Sequence, residues 1–122
     1  GDWLTFINSP YGFLFKYPPG GAIVPGNTDT YARINLPYVP GTNLKEKYLE
    51  VIVAENANPC RSPLATSSML ETSETVVING ITFLKETGSE PAAGNIYEWE
   101  AYSAVRPNTT ACVTVEILRP AP

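Results

Sequence analysis

Apolar and polar side chains alternate with a period of two along residues 95–118, the most regular stretch of the chain. In the first arm, Trp99 and its odd-numbered neighbours are mostly apolar, whereas Glu98 and Glu100 hold even positions. Successive side chains of a strand lie on opposite faces, and the same residues would form no apolar stripe on a helix. A proline-containing break at residues 106–110 separates this arm from a second alternating arm. The pattern predicts a long β-hairpin.

The second arm of this hairpin has two faces of different character. The expected apolar face consists of Ala111, Val113, Val115 and Ile117, and the expected opposite face consists of Cys112, Thr114 and Glu116. Shorter alternating segments predict strands at residues 3–7, 13–17 and 30–36, with a short extended piece at 23–24. Within residues 75–85, the pair Asn79-Gly80 joins two β-rich arms. This dipeptide predicts a second hairpin, because both of its turn residues adopt positive φ.

Three segments lack a clear period. Residues 42–55 fit helical spacing at some positions and strand spacing at others. The β-branched run at residues 51–53 favours a strand from about Lys47, after one helical turn. Residues 56–73 and 86–94 are predicted to be loops, the first with a helical turn at Met69 and Leu70.

These elements predict a single domain, residues 1–122, of mainly β class and α+β at most. The length fits one domain with a substantial core. We expect one antiparallel sheet of about seven strands with little helix. The 12 prolines are expected in the connections, because proline disrupts both helix interiors and central strands.

The two cysteines indicate where the domain resides. Cys60 lies in a predicted loop and Cys112 on a predicted strand, so a disulfide would tie that loop to the sheet. Such a bond predicts an extracytoplasmic location, whether secreted, periplasmic or on the cell surface. Two unpaired buried thiols are the alternative.

Charge and hydropathy exclude two classes of partner. The net charge is -4 and the basic residues are scattered singly, so the clustered positive charge that nucleic acid or acidic lipid requires is missing. No run of 18 apolar residues occurs in the sequence, so we expect no membrane insertion by this chain.

The sequence offers little for catalysis. Histidine is absent, which removes nucleophile systems that use a histidine base, and two separated cysteines make no zinc site. We therefore predict no metal, no cofactor and no enzyme activity. The pair Glu98 and Glu100 keeps one alternative open, a carboxylate-based hydrolase acting on glycans.

Exposed tyrosines are the candidates for contact with a carbohydrate or a protein partner. Tyr11 and Tyr38 lie in proline-rich turns, and Tyr102 shares a strand face with Glu98 and Glu100. The triplet beginning at Asn108 also fits the glycosylation sequon. Strand edges that no proline protects can pair with another copy of the chain, so a homo-oligomer is also an alternative.

Residues 10–18, Pro-Tyr-Gly-Phe-Leu-Phe-Lys-Tyr-Pro, resemble the opening of PsbP-like and Mog1-like domains. Residues 79–83 and the closing hairpin are placed as such domains place their later strands. The tryptophan usual after the Tyr-Pro of that family is replaced here by Pro19 and Gly20. The resemblance implies an antiparallel sheet with flanking helices and an accessory, non-catalytic role.

The function expected from all of this is a binding or structural module of a secreted or cell-surface protein, stabilised by one disulfide. Besides the glycan hydrolase, a protease inhibitor is an alternative. It would require a rigid exposed loop, for which residues 59–63 are the best candidate because they adjoin Cys60.

Overall fold

The computed structural model describes residues 2–36, 47–92 and 94–121. The predicted helical turn before Lys47 and the candidate Tyr38 lie outside these residues. Within them the chain is mainly β, which confirms the predicted fold class. The strands are β1 (Leu4–Asn8), β2 (Phe13–Tyr17), β3 (Ala22–Ile23), β4 (Tyr31–Leu36), β5 (Lys47–Glu55), β6 (Met69–Ile78), β7 (Ile81–Ala92), β8 (Asn95–Val105) and β9 (Ala111–Pro120), and the helix α1 (Leu64–Ser67) lies between β5 and β6.

In the described part of the chain, seven strands form one antiparallel sheet in the order β3-β4-β5-β9-β8-β7-β6, and β1 pairs with β2 in a separate two-stranded sheet. Both predicted hairpins are present. Asn79 and Gly80 have φ of 52° and 79°, as their turn requires. The long hairpin pairs β8 with β9 from Tyr97 opposite Pro120 to Val105 opposite Cys112.

Two segments predicted as loops are strands. Residues 69–73 begin β6, where a bulge lies between Leu70 and Thr72, and the helical turn expected at Met69 and Leu70 is found earlier, in α1. Residues 86–92 complete β7, although they include Gly88 and Pro91. Pro91 is tolerated because β6 begins opposite Ser89, so β7 has no paired strand on its outer side at Pro91.

Gly88 is required by close packing. It lies directly opposite Trp99, whose side chain is only 2% exposed. A Cβ on Gly88 would lie 2.5 Å from Cζ2 of Trp99 and would also overlap the backbone oxygen of Met69. The glycine that makes the sequence resemble a loop is therefore the residue that lets β6, β7 and Trp99 approach one another.

We expect Gly88→Ala to lower the free energy of unfolding by about 2–3 kcal/mol, because the added methyl group has no space. Gly80→Ala is the matched control, since nothing lies within 4 Å of the position that its Cβ would take and only its φ of +79° is unfavourable. We expect this control to cost about 1 kcal/mol. Urea unfolding measures both costs, and equal costs would contradict the packing role of Gly88.

Apolar residues pack on both faces of the large sheet. On one face, β1 and β2 cover β4, β5 and β9, and Phe6, Ile34 and Val51 are buried between the two sheets. On the other face, Trp99, Ala101 and Leu118 form a second buried cluster against α1 and its neighbours. Each face of the sheet is thus covered in part.

The register of the long hairpin determines which face of β8 lies beside which face of β9. Trp99 lies opposite Leu118, and Ser103 opposite Thr114, so the apolar face of β8 shares a side of the sheet with the face of β9 that carries Glu116. Cys112, Thr114 and Glu116, expected on the more polar face, are each only 2% exposed.

Residues 56–68, called here the crossover segment, cover these polar residues. They connect β5, next to β9, with β6 at the far edge of the sheet. Cys60 forms a disulfide with Cys112 of β9, which confirms the predicted bond; their Cα atoms are 5.4 Å apart. Farther along, the Ser68 hydroxyl accepts a hydrogen bond of 2.7 Å from the Trp99 indole of β8. The segment is therefore attached to both β9 and β8.

Candidate functional site

Beneath the crossover segment lies a cluster of buried polar groups. Arg61 donates from Nε, at 3.1 Å, and from Nη2 to the same carboxylate oxygen of Glu86 on β7, and Glu86 is fully buried. The Ser62 backbone N–H faces the other oxygen of Glu86 at 3.4 Å. The Ser62 hydroxyl donates to Glu116 of β9 and accepts from the Leu64 N–H at 3.1 Å. One serine thus links two buried carboxyl groups on different strands.

Burial raises the pKa of Glu116 from 4.5 to about 7. The hydrogen bond from Ser62 acts in the opposite direction, and the charges of Glu50 on β5 and Glu90 on β7 raise the pKa further. Glu86 and its partner Arg61 are the other charged groups of this cluster. The largest cause is the loss of water around the carboxylate, which disfavours its charged form.

This shift makes the stability of the domain depend on pH. Between pH 4.5 and about 7, folded Glu116 keeps a proton that the unfolded chain releases. The stabilisation that this proton provides is therefore complete below the unfolded pKa of 4.5 and is lost as the pH rises through the folded pKa of about 7. We expect the free energy of unfolding to fall by about 3 kcal/mol across this window.

Urea unfolding at pH 4.5, 6 and 8 measures this loss. Glu116→Gln keeps an oxygen that accepts from Ser62 but cannot titrate, so the variant is expected to lose less stability than the wild type over the same range. Parallel curves for the two proteins would contradict the assignment to Glu116.

The buried cluster offers no surface to a substrate. Glu86 and Glu116 are 0% and 2% exposed, and the crossover segment lies over both. The same segment weakens the inhibitor alternative, because Ser62, within residues 59–63, is fully buried. The loop lies against the sheet and does not project from it.

The open concave feature lies on the other face of the sheet. A groove of about 440 Å³ runs between β2 and the β6–β7 turn, over the ends of β8 and β9. Its lining is apolar except for Thr82 and Arg106, and Arg106 is the one charged residue among the described residues that line it. The lining residues are Phe13, Leu14, Phe15, Gly80, Ile81, Thr82, Phe83, Ala104, Val105, Arg106, Pro107, Val113 and Val115.

Arg106 is held at the end of the groove by the backbone of the β1–β2 turn. Its Nε donates to the Tyr11 carbonyl at 3.2 Å, and its Nη2 donates to the Gly12 carbonyl at 2.9 Å. A guanidinium carries five N–H groups, so three remain for other acceptors. No ion pair joins Arg106 to an acidic residue in the part of the chain that the structure describes.

The residues that the sequence proposed as a contact surface fall in separate places. Tyr102 packs edge-on against Phe83, with 6.3 Å between ring centroids, and so borders the groove. Glu100 beside it pairs with Lys85 at 3.4 Å. Glu98 lies farther along β8, opposite Arg119. Burial raises the pKa of Tyr102, and Glu100 adds to the rise.

Tyr11 has a different environment. Partial desolvation raises the pKa of its phenol, and Glu55 and Asp29 contribute to the same rise. Its connection to the groove is through its backbone carbonyl, which accepts the hydrogen bond from Arg106 Nε. Asn108 is exposed in the β8–β9 turn with a φ of 61°, where a modifying enzyme could reach it.

Sequence reasoning missed the groove because its residues look like ordinary core. Alternation correctly places Phe13 and Phe15 on one face of a strand. Nothing local shows that the two-stranded sheet covers only part of the larger one, which leaves Phe83, Ala104 and Val115 accessible. Arg106, beside Pro107 after the end of β8, gave no signal of its own, because its apolar neighbours from β2 and β7 are distant in sequence.

Within residues 2–36, 47–92 and 94–121, no three potential metal ligands from histidine, cysteine, aspartate or glutamate lie together. The described chain also contains no helix with the length and hydropathy needed to span a membrane.

The sequence matches no protein-family model, and no curated protein matches it. The resemblance to PsbP-like and Mog1-like domains therefore rests on residues 10–18 and 79–83 and on the order of the strands. In the described residues, α1 is the one helix, so the flanking helices that the resemblance implies are not found there. The function of this domain has to be inferred from its own geometry.

Proposed function

We propose that this domain is a non-catalytic binding module of a secreted or cell-surface protein and that the groove beside β2 is its binding site. The observation that carries the proposal is the groove itself. Its volume of about 440 Å³ lies within the range of roughly 300–1,000 Å³ typical of small-molecule sites. Its apolar lining with a single charged group is also typical of such sites.

The disulfide supports the extracytoplasmic location that we propose for the domain. Cys60–Cys112 joins the crossover segment to β9, and Cys112 is buried. Disulfides of this kind persist in oxidising compartments and are rare in the cytosol. The bond supports an extracytoplasmic protein.

The composition of the groove supports binding over catalysis. Aromatic rings from Phe13, Phe15 and Phe83 and small residues such as Ala104 supply apolar contact area. Apolar surface that ligands cover is a source of binding free energy, whereas acid–base catalysis needs titratable groups beside the reacting atoms. The two deeply buried carboxyl groups are on the opposite face of the sheet, beneath the crossover segment.

A neutral apolar fluorophore such as 1-aminoanthracene tests the proposal. We expect saturable binding to the wild-type domain, detected as increased fluorescence. Ala104→Leu should weaken binding by about tenfold or more, because the larger side chain fills the groove. Ala22→Leu is the matched control, since it adds the same side chain on the exposed edge strand β3.

Either of two results would contradict the proposal. If the fluorophore does not bind the wild type, or binds all three proteins equally well, the groove is not a binding site. Circular dichroism of each variant establishes that the fold is retained.

A further inference from the structure

We infer that the groove takes a single-chain amphiphile with an acidic head, a long-chain carboxylate, whose head group is bound by Arg106. This inference rests on the proposed function, because it names the ligand class of the same groove. The ligand enters the groove as a free monomer, with its chain against the apolar lining and its head group at the guanidinium.

The apolar part of the ligand is matched by the lining. Ala104, Val113 and Val115 project from neighbouring strands of the sheet and form the floor. Phe15 of β2 and Phe83 of β7 stand on either side. Small floor residues between large walls give a slot that suits an unbranched chain, since each buried methylene adds to the binding free energy.

Exposed apolar side chains border the floor of the groove. Leu14, Ile81 and Val105 line it and are 60%, 52% and 49% exposed, so large apolar side chains beside the floor remain accessible. A chain that extends beyond the floor would still contact apolar surface there. Covering these three side chains would remove them from water.

The charged part of the ligand is matched by Arg106. The protein has a net charge of -4, yet the one charge among the described residues of the groove is positive. The hydrogen bonds to the Tyr11 and Gly12 carbonyls fix the guanidinium and use two of its five N–H groups. A carboxylate suits the remaining donors, because an arginine presents them in a planar fork that matches two oxygens.

Titration calorimetry on the wild-type domain tests this with three decyl ligands, decanoate, decanol and decyltrimethylammonium, the two ions below their micelle concentrations and decanol below its solubility limit. We expect decanoate to bind about tenfold more tightly than decanol, the effect of a charge-assisted hydrogen bond. Decyltrimethylammonium should bind most weakly, because its charge repels Arg106. Between octanoate and decanoate, affinity should rise about fourfold per methylene.

The results separate the inference from the proposed function. If decanol binds as tightly as decanoate, the role of Arg106 is wrong while the groove stands. If 1-aminoanthracene binds and no decyl compound does, the linear-chain inference is wrong and the proposed function survives. If neither binds, both are wrong. Binding to phosphatidylglycerol vesicles without binding of monomeric decanoate would assign the surface to a membrane and would overturn the inference.

Arg106→Gln provides a second readout. We expect this variant to lose the tenfold preference for decanoate over decanol. Arg119→Gln is the matched control, because Arg119 is exposed on β9 and does not line the groove, and it should keep the preference. Should Arg106→Gln fail to fold, the ligand series on the wild type decides the question alone.

Discussion

Replacing Arg61 with methionine is expected to lower the free energy of unfolding by about 3 kcal/mol. The side chain of Glu86 is completely buried, and Arg61 is the cation that pairs with it. Removing the cation leaves a carboxylate in the interior without its main partner, which costs about 3–5 kcal/mol in other proteins. We expect the lower end because the side chain of Arg61 is itself 32% exposed.

A double-mutant cycle identifies the cause of this loss. Arg61→Met together with Glu86→Leu removes both charges, and replacing both partners of a buried pair by apolar groups is often nearly neutral. We therefore expect the double variant to be more stable than Arg61→Met alone. Arg119→Met is the control for removing an exposed arginine and should cost within about 0.5 kcal/mol.

Urea unfolding at pH 7 gives the free energies of the wild type, Arg61→Met, Glu86→Leu and the double variant, and of the control Arg119→Met. A loss for Arg61→Met no larger than that for Arg119→Met would show that the pair contributes nothing. A double variant less stable than both single variants would show that Glu86 has another structural role.

Loss of the disulfide is expected to be more damaging still. Cys60 and Cys112 are 52 positions apart, and closing a loop of this length stabilises a fold by about 4 kcal/mol in the chain-entropy model. The double variant Cys60→Ala and Cys112→Ala should lose about this amount. Alanine is preferred to serine because Cys112 is 2% exposed, and a buried hydroxyl would add a cost of its own.

The control for this second prediction is chemical. Reductant should lower the urea midpoint of the wild type towards that of the double variant, and it should leave the variant unchanged. A wild type whose midpoint does not respond to complete reduction, shown by thiol titration, would mean that the hydrogen bonds of the crossover segment suffice without the bond.

The parts of the fold that were predictable are those encoded by neighbouring residues. Alternation in residues 95–118 gives the β8–β9 hairpin, and Asn79-Gly80 gives the β6–β7 turn, because two-residue periods and positive φ are local properties. The disulfide was also predictable, because the chain has only two cysteines and one of them, Cys60, lies in a loop that can approach the strand of the other.

Long-range contacts decide what the sequence could not show. Gly88 and Pro91 read as loop residues, yet they belong to β7 because Trp99 needs the space and β6 starts late. Glu116 reads as a surface residue, yet the crossover segment buries it. Neither effect leaves a signal within a short window of sequence.

The candidate site shows the same limit. Tyr102 was predicted as a contact residue and does border the groove through Phe83, whereas Tyr11 contributes its backbone carbonyl. The groove itself depends on how far β2 extends over β8 and β9, which is a property of sheet packing. Arg106 could not be recognised because its significance comes from its apolar neighbours in space.

The position of β9 affects how the protein can be made. It follows all the other described strands in sequence, but it lies in the middle of the sheet, between β5 and β8. Its pairing with β5 joins residues from 56 apart, at Glu55 and Ala111, to 70 apart, at Tyr48 and Leu118. Contacts over such distances form slowly. A chain leaving the ribosome therefore cannot complete the large sheet until residues 111–120 have emerged.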